Sequence, residues 1–151
     1  MSRKSARELA LRMLYGADVS GAAPEESMAL IDADHFTDLS GEDALYKELP
    51  SEAEKRFISA LLHGVSDHRE ELDGFIGTYA IGWSVSRISV VTLCILRLSM
   101  YEILYMDDAD VPVASSINEA VELARRYDSE EAAKFVNGIL GSFVRTEKQP
   151  V

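Results

Sequence analysis

The first twenty residues carry apolar side chains at helical spacing. The apolar positions are Ala6, Leu9, Ala10, Met13, Leu14 and Ala17. Their separations of three and four residues define one face of an amphipathic helix. On the helical wheel, Lys4, Leu11 and Tyr15 lie opposite this stripe, with Arg7 beside them. Gly21 then interrupts the pattern and is expected to end the helix.

The next segment, residues 24–50, is acidic and only patchily apolar. It predicts one short helix over about 24–33 and a solvated loop after it. Ser51 and Glu54 have the spacing of a capping box, in which each side chain bonds the other residue's backbone N–H. A further helix is therefore expected from about residue 52, with Phe57 on its buried face.

The second half of the chain contains four more helical patterns. The first covers about 67–80, and the second covers about 87–106 with Ser86 as its expected cap. Because the second is apolar nearly all round, it is expected to be the central buried helix. Ser116 opens a second capping-box pattern, and Asp128 is the expected cap of the last helix. These patterns predict an all-α protein of about seven helices.

Charge is unevenly distributed along this chain of 151 residues and net charge −11. Residues 1–12 hold four basic residues and one acidic residue, for a net +3. Residues 13–54 hold eleven acidic residues and only Lys47, for a net −10. An acidic surface repels polyanions, so a nucleic acid would have to bind at a local basic patch. The N-terminal helix is the densest such patch.

Composition favours a soluble, cytoplasmic protein. The single cysteine, Cys94, excludes an internal disulfide. The N-terminal residues lack the continuous apolar run and the cleavage site of a signal peptide. The most apolar stretch, residues 90–106, contains Arg97 and Glu102, and two internal charges argue against a membrane span. We therefore expect no membrane association.

No constellation of residues indicates catalysis. His63 and His68 are five residues apart, which places them about 140° apart around a helix and poorly for one metal ion. Residues 77–82 contain two glycines but lack the strand and the lysine of a phosphate-binding loop. We expect no catalytic residue, no metal and no cofactor, and a protein that is not an enzyme.

Two groups of residues are candidates for binding, each with an ordinary structural alternative. Arg3 and Lys4 place positive charge at a helix N-terminus, where it opposes the helix dipole, so they are either solvated charges or contacts for a polyanion. Phe135 lies on the apolar stripe of the last helix, as a core residue or as a platform on which a base stacks. Lys134 either forms an ion pair with Glu131, three residues earlier, or lies beside the stacking residue as part of the binding site.

Several stretches together resemble the NusB family. They are ARELALRMLY (6–15), ILRLSMYEILY (95–105) preceded by Trp83 and Arg87, INEAVELARRY (117–127) and KFVNGIL (134–140). The succession of INEAVELA and KFVNG at this spacing is highly specific. The resemblance covers residues 3–23 and 51–145. It implies one all-α domain, residues 1–151, made of two small packed helical bundles at about 1–80 and 81–146.

The resemblance also implies function and site residues. Members of the family are transcription antitermination factors that bind boxA RNA together with NusE, a protein of the small ribosomal subunit. The complex joins the elongating RNA polymerase and supports ribosomal RNA transcription. Tyr15, an aromatic residue off the core stripe, is expected to meet a partner or another helix, with a partner preferred. Thr92 lies in the family's NusE-facing region. The RNA-binding residues implied by position are Arg3, Lys4, Arg7, Glu131, Lys134 and Phe135.

Two alternatives keep the fold but change the role. One is a protein-only helical scaffold or homodimer that has lost RNA binding. Ser5 interrupts the run of basic residues that is denser in the family, and the net charge of −11 opposes RNA. The other is a companion of an RNA methyltransferase, for which this chain would need a separate partner. Replacement of Arg3 and Lys4 by alanine distinguishes the RNA-binding hypothesis from the scaffold.

Overall fold

The computed structural model describes residues 1–31, 36, 43–83, 85–106 and 111–148. Within these ranges the chain forms seven α-helices and short 3-10 turns, without a strand. The helices are α1 (Arg3–Ser20), α2 (Pro24–Ile31), α3 (Glu52–Asp67), α4 (Arg69–Tyr79), α5 (Val90–Tyr105), α6 (Val113–Tyr127) and α7 (Glu130–Glu147). The predicted all-α class and helix number are confirmed.

The chain divides into two compact units, Met1–Ser66 (unit 1) and Asp67–Val151 (unit 2). The sequence analysis expected the division near residue 80, one helix later. The observed division assigns α4 to unit 2, because α4 packs against α5 and α7.

Helix α1 of unit 1 begins at a serine cap and ends at a glycine. The Ser2 hydroxyl accepts a hydrogen bond from the backbone N–H of Ser5 at 3.0 Å. Gly21 has a φ of 79°, the left-handed conformation, and its N–H donates to the carbonyl of Ala17. Because only glycine adopts this conformation without strain, Gly21 ends the helix, as its position predicted.

The buried part of α1 is wider than the predicted apolar stripe. All residues from Ala6 to Leu11 are buried, and such a run covers every face of the helix. Met13 and Leu14, which belong to the stripe, are only half-buried. The predicted placement of Leu11 and Arg7 away from the core is therefore wrong, because this half of α1 is enclosed on all sides.

The acidic segment contributes buried side chains to unit 1. Its predicted helix is α2, which the structure describes as far as Ile31. Residues 32–33 of that prediction, and residues 34–35 and 37–42 of the solvated loop predicted after it, lie outside the described residues. Phe36 and Leu45 are buried, so the described part of the loop is not solvated throughout. Removal of these two apolar side chains from water favours packing of the segment onto the rest of unit 1.

Helix α3 begins at the predicted capping box. The Glu54 N–H donates to Ser51 Oγ at 3.2 Å, and the Ser51 N–H donates to Glu54 Oε1 at 2.8 Å. Phe57, one turn further on, is buried as expected. The capping box satisfies two backbone donors that a helix N-terminus leaves without intrahelical partners.

Helix α5 is the central buried helix of unit 2, as its apolar sequence predicted, because ten of its sixteen residues are buried and it contacts α4, α6 and α7. Its buried Arg97 donates from Nε and Nη2 to the carboxylate of Asp73 in α4, at 2.7 and 3.2 Å. This paired geometry compensates the guanidinium for lost hydration. Among the described residues, no helix combines the length and apolar character needed to cross a bilayer.

The caps of α5 and α6 differ from those predicted. Ser89, not Ser86, caps α5, because the residues around Ser86 form a separate 3-10 turn. Helix α6 begins before Ser116, so the capping box predicted there is wrong. The Ser116 hydroxyl instead donates to the buried Glu102 carboxylate at 2.9 Å. A buried carboxylate is costly unless it accepts hydrogen bonds. The Ser116 hydroxyl therefore bonds Glu102 and does not cap a helix.

Helix α7 is capped by Ser129 rather than by Asp128. The Ser129 hydroxyl accepts from the Ala132 N–H at 3.0 Å. Gly138 lies inside the helix. A Cβ placed on Gly138 meets nothing within 4 Å, so no close neighbour requires a glycine at this position.

Candidate RNA-binding site

The first turn of α1 presents positive charge beside an aromatic ring of α3. Arg3 and Lys4 are both exposed. The guanidinium carbon of Arg3 lies 4.0 Å from the ring centroid of Phe57, and that of Arg7 lies 5.8 Å from the same centroid. Both distances are within the range of a cation–π interaction. Phe57 therefore restrains the direction in which Arg3 presents its charge.

Arg7 contributes to this group differently from Arg3. Only 5% of its surface is exposed, so its guanidinium lies beneath the surface rather than in solvent. Its positive charge adds to the electrostatic potential of the helix start. The exposed surface itself is provided by Arg3 and Lys4.

The fourth cation of α1, Arg12, is held by acidic residues of unit 1. Its Nη1 donates to Asp43 Oδ2 at 2.5 Å, and its Nη2 lies 3.8 Å from Glu8 Oε1. Its guanidinium carbon is also 5.5 Å from the ring centroid of Tyr46. The carboxylates of Asp43 and Glu8 largely compensate the charge of Arg12. Arg12 therefore differs from the exposed cations at the helix start.

Tyr15 is also on α1 and is 44% exposed. Its location off the apolar stripe agrees with the helical wheel. A large exposed aromatic side chain is typical of a contact with a partner. The role of Tyr15 as a partner-binding residue stays a prediction.

A cavity of about 230 Å³ lies on unit 2, where the loop after α4 meets the starts of α5 and α7. Three residues singled out from the sequence line it together: Thr92, Glu131 and Phe135. Lys134 is exposed on the same helix but does not line the cavity. The fold thus brings Glu131 and Phe135 of α7 close to Thr92 of α5, although they are far apart in the chain.

Two aromatic rings form one wall of this cavity. The ring centroids of Trp83 and Phe135 are 5.3 Å apart, with an angle of 60° between the rings. Trp83 is 47% exposed, and Phe135 is half-buried. Phe135 therefore combines the two roles left open by the sequence, since it packs against a neighbour and still faces the cavity.

The lining of the cavity also contains an ionised carboxylate, that of Asp128. The hydroxyls of Ser89 and Thr92 donate to Asp128 Oδ2, at 2.6 and 2.7 Å. These two hydrogen bonds lower the pKa of Asp128 below its ordinary value, so the group is an anion at neutral pH. Thr92 itself is only 2% exposed and acts through this contact.

The described residues therefore contain two groups of candidate binding residues, one in each unit. Arg3, Lys4 and Arg7 are in unit 1, whereas Glu131, Lys134 and Phe135 are in unit 2.

No binding role was predicted from the sequence for four residues that lie beside these groups: Phe57, Trp83, Arg87 and Asp128. A tryptophan next to a glycine in a predicted loop was an available signal, because such a side chain is expected to be exposed. No local pattern connects Asp128 with Thr92, since the two residues meet only in the folded chain.

These features define a small all-α protein with the cationic and aromatic surfaces typical of nucleic-acid binding. The family model described as the NusB family matches residues 4–145, and the chain belongs to this family. The resemblance noted in the sequence is confirmed.

Similar proteins are known both as sequences and as structures. The chain is 43% identical over 141 residues to the transcription antitermination protein NusB of Carboxydothermus hydrogenoformans, which covers 93% of this chain and 91% of that protein. It resembles the structure of T. maritima NusB with a TM-score of 0.73 and 27% identity, covering 97% of this chain and 92% of the other. A chain in the crystal structure of the antitermination factors NusB and NusE in complex with dsRNA matches with a TM-score of 0.71 and 26% identity, covering 95% of this chain and 96% of that one.

Proposed function

We propose that this protein is a bacterial transcription antitermination factor that binds boxA RNA together with NusE and supports ribosomal RNA transcription by RNA polymerase. It acts in the cytoplasm and carries out no catalysis. The observation that carries the proposal is the match of nearly the whole chain to the NusB family. A similar protein is named as an antitermination protein, and a similar structure contains NusE and RNA.

The RNA-binding role belongs first to the start of α1. Arg3 and Lys4 are exposed there, and exposed cations bind phosphates by charge and by hydrogen bonding. Arg7 adds charge from below them. In an acidic chain, a cluster of this kind attracts a polyanion locally, although the net charge repels it.

The start of α7 supplies contacts of a different kind. Phe135 offers a ring on which a base can stack, Lys134 offers a phosphate contact, and Glu131 offers an acceptor for base N–H groups. Tyr15 is assigned to the partner surface. Thr92 is assigned to the NusE-facing side, where it acts by holding Asp128 in place.

The small number of exposed cations makes a second RNA-binding protein necessary for tight binding. Three or four phosphate contacts give only a modest electrostatic free energy, which the net charge of −11 further reduces. NusE adds RNA contacts and raises the effective concentration of the RNA at this surface. We therefore expect this protein and NusE to bind the RNA cooperatively.

Fluorescence anisotropy of a labelled boxA RNA tests the proposal, with and without NusE and against a scrambled RNA. We expect tighter and sequence-dependent binding when NusE is present. The variant Arg3→Ala/Lys4→Ala should weaken binding several-fold for every RNA sequence, because phosphate contacts are independent of sequence. Lys47→Ala, which removes an exposed cation of unit 1 outside α1, is the matched control and should bind like the wild type.

Two results would count against the proposed function, and a third would count against the proposed site. Binding of boxA and scrambled RNA with equal affinity in the presence of NusE would refute it. An absence of RNA binding in both conditions would favour the protein-only scaffold. Normal binding by the double variant would refute the assignment of the α1 site.

A further inference from the structure

The cavity between Trp83 and Asp128 has features that general RNA binding does not require. We propose that it is a specificity pocket for one unpaired guanine base of the RNA strand. The proposal rests on the proposed function, since it assigns a base to one part of the same RNA-binding surface. It names Trp83 as the stacking residue and Glu131 as the residue that recognises the base edge.

The size of the cavity indicates a single base. Its volume is about 230 Å³, below the roughly 300–1,000 Å³ of pockets that enclose drug-sized ligands. A nucleotide chain does not fit inside such a volume, whereas one flat ring system does. Trp83 and Phe135 provide the aromatic wall that such a ring needs, and stacking of a base on an aromatic side chain is worth about 1–3 kcal/mol.

The charges of the cavity exclude the phosphate from its interior. Asp128 and Glu131 both line it, and two carboxylates repel a phosphate. Arg87 also lines the cavity and is exposed, so the backbone of the strand has a cation on that side. The base therefore enters the cavity while its phosphate stays outside.

The carboxylates select the base by its donors. The hydroxyls of Ser89 and Thr92 both donate to the Asp128 carboxylate, so Asp128 is fixed within the wall. Glu131 is exposed at the start of α7 and is the carboxylate with freedom to reach a ligand. An ionised carboxylate only accepts hydrogen bonds, so it needs two adjacent donors for a bidentate contact.

Guanine alone among the four bases presents two adjacent donors on its Watson–Crick edge, the N1–H and the N2 amino group. Adenine and cytosine place a ring acceptor beside their amino group, and uracil places carbonyl oxygens on both sides of its N3–H. Each of these acceptors would face the carboxylate and be repelled. Glu131 therefore favours guanine over the other bases.

Trp83 provides a direct measurement, because it is the only tryptophan in the chain. Its fluorescence is followed while the protein, alone and with NusE, is titrated with three labelled hexaribonucleotides: oligouridine, the same strand with one central guanosine, and the same strand with inosine there. Inosine lacks the N2 amino group but retains the ring. Anisotropy of the label reports binding in the same samples.

We expect the guanosine strand to quench Trp83 at several-fold lower concentration than the inosine or uridine strands. Glu131→Gln should remove the difference between guanosine and inosine and leave the quenching itself. Trp83→Ala should weaken binding of the guanosine strand about 5- to 150-fold, measured by anisotropy. Ile81→Ala is the matched control, because Ile81 is 85% exposed in the same loop and does not line the cavity.

The outcomes distinguish this proposal from the proposed function. Binding by anisotropy without quenching of Trp83 would overturn the pocket and leave RNA binding intact. Equal quenching by all three strands would overturn the selection of guanine. An absence of binding even to boxA RNA with NusE would overturn both proposals. Circular dichroism of Trp83→Ala, and the variant Trp83→Phe, which keeps a ring, separate loss of stacking from loss of fold.

Discussion

Gly138 and Gly21 show how the effect of a glycine depends on its own backbone and surroundings. Gly138 lies within α7, is exposed, and has open space where a Cβ would be. Gly21 has a φ of +79°, which side-chain-bearing residues adopt only with strain. The same substitution at the two positions is therefore expected to have opposite effects.

At the residue scale, Gly138→Ala should raise the free energy of unfolding by about 0.5–1 kcal/mol, because alanine loses less backbone entropy in a helix. Gly21→Ala should lower it by about 1–2 kcal/mol, because the left-handed conformation is strained. Urea denaturation followed by circular dichroism measures both. A destabilised Gly138→Ala variant would show that a close contact of Gly138 is important for folding.

At the element scale, Asp128 joins the chain before α7 to the start of α5. Its carboxylate accepts hydrogen bonds from Ser89, the cap of α5, and from Thr92 in the first turn. These bonds lower its pKa in the folded protein. A lowered carboxylate pKa means that the stabilisation is present above the pKa of the unfolded state and is lost as the pH falls through the folded-state pKa.

Asp128→Ala should therefore lower the free energy of unfolding by about 1 kcal/mol at pH 7, a value reduced for solvent exposure. The difference from the wild type should shrink as the pH falls below about 4. Urea denaturation between pH 7 and pH 3 tests this. Asp67→Ala, which removes an exposed carboxylate at the end of α3, is the control measured in the same way. If the difference in free energy of unfolding between Asp128→Ala and the wild type stayed constant over this pH range, ionisation of Asp128 would be excluded as its cause.

At the scale of the whole molecule, the charge is unevenly distributed, which bears on the proposed interaction with RNA. The net charge of −11 repels a polyanion, while Arg3 and Lys4 are exposed at the start of α1. Most of the acidic excess precedes residue 55, and part of it is paired within the same unit, where Asp43 binds Arg12. The acidic segment thus compensates Arg12 and leaves the first turn of α1 as the cationic surface.

The salt dependence of RNA binding should reflect this small cationic surface. With about three phosphate contacts, the slope of log K against log salt concentration is expected near −2 for single-stranded RNA. Arg3→Ala should reduce the magnitude of the slope by about 0.7. Anisotropy titrations at four salt concentrations measure it. A slope near zero would show that affinity comes from stacking and base contacts instead.

Local interactions explain which features could be predicted from the sequence. The helices, the Ser51 capping box and the end of α1 at Gly21 depend on residues three or four positions apart, and that spacing is visible in the chain. The apolar sequence of α5 likewise predicted its central place. The caps at Ser86 and Ser116 were wrong, because Ser89 and the buried Glu102 compete with the local pattern.

The sequence by itself therefore determined the helical class, most helix positions, the family and the charge of the first turn. Only the tertiary structure decided that Arg7 is buried, that Arg3 contacts Phe57, and that Trp83 meets Phe135. Asp128 and Thr92 are 36 positions apart, and their hydrogen bond exists only when α5 and α7 are packed. Contacts of this kind depend on how helices are placed in space, and no short-range spacing in the chain encodes that placement.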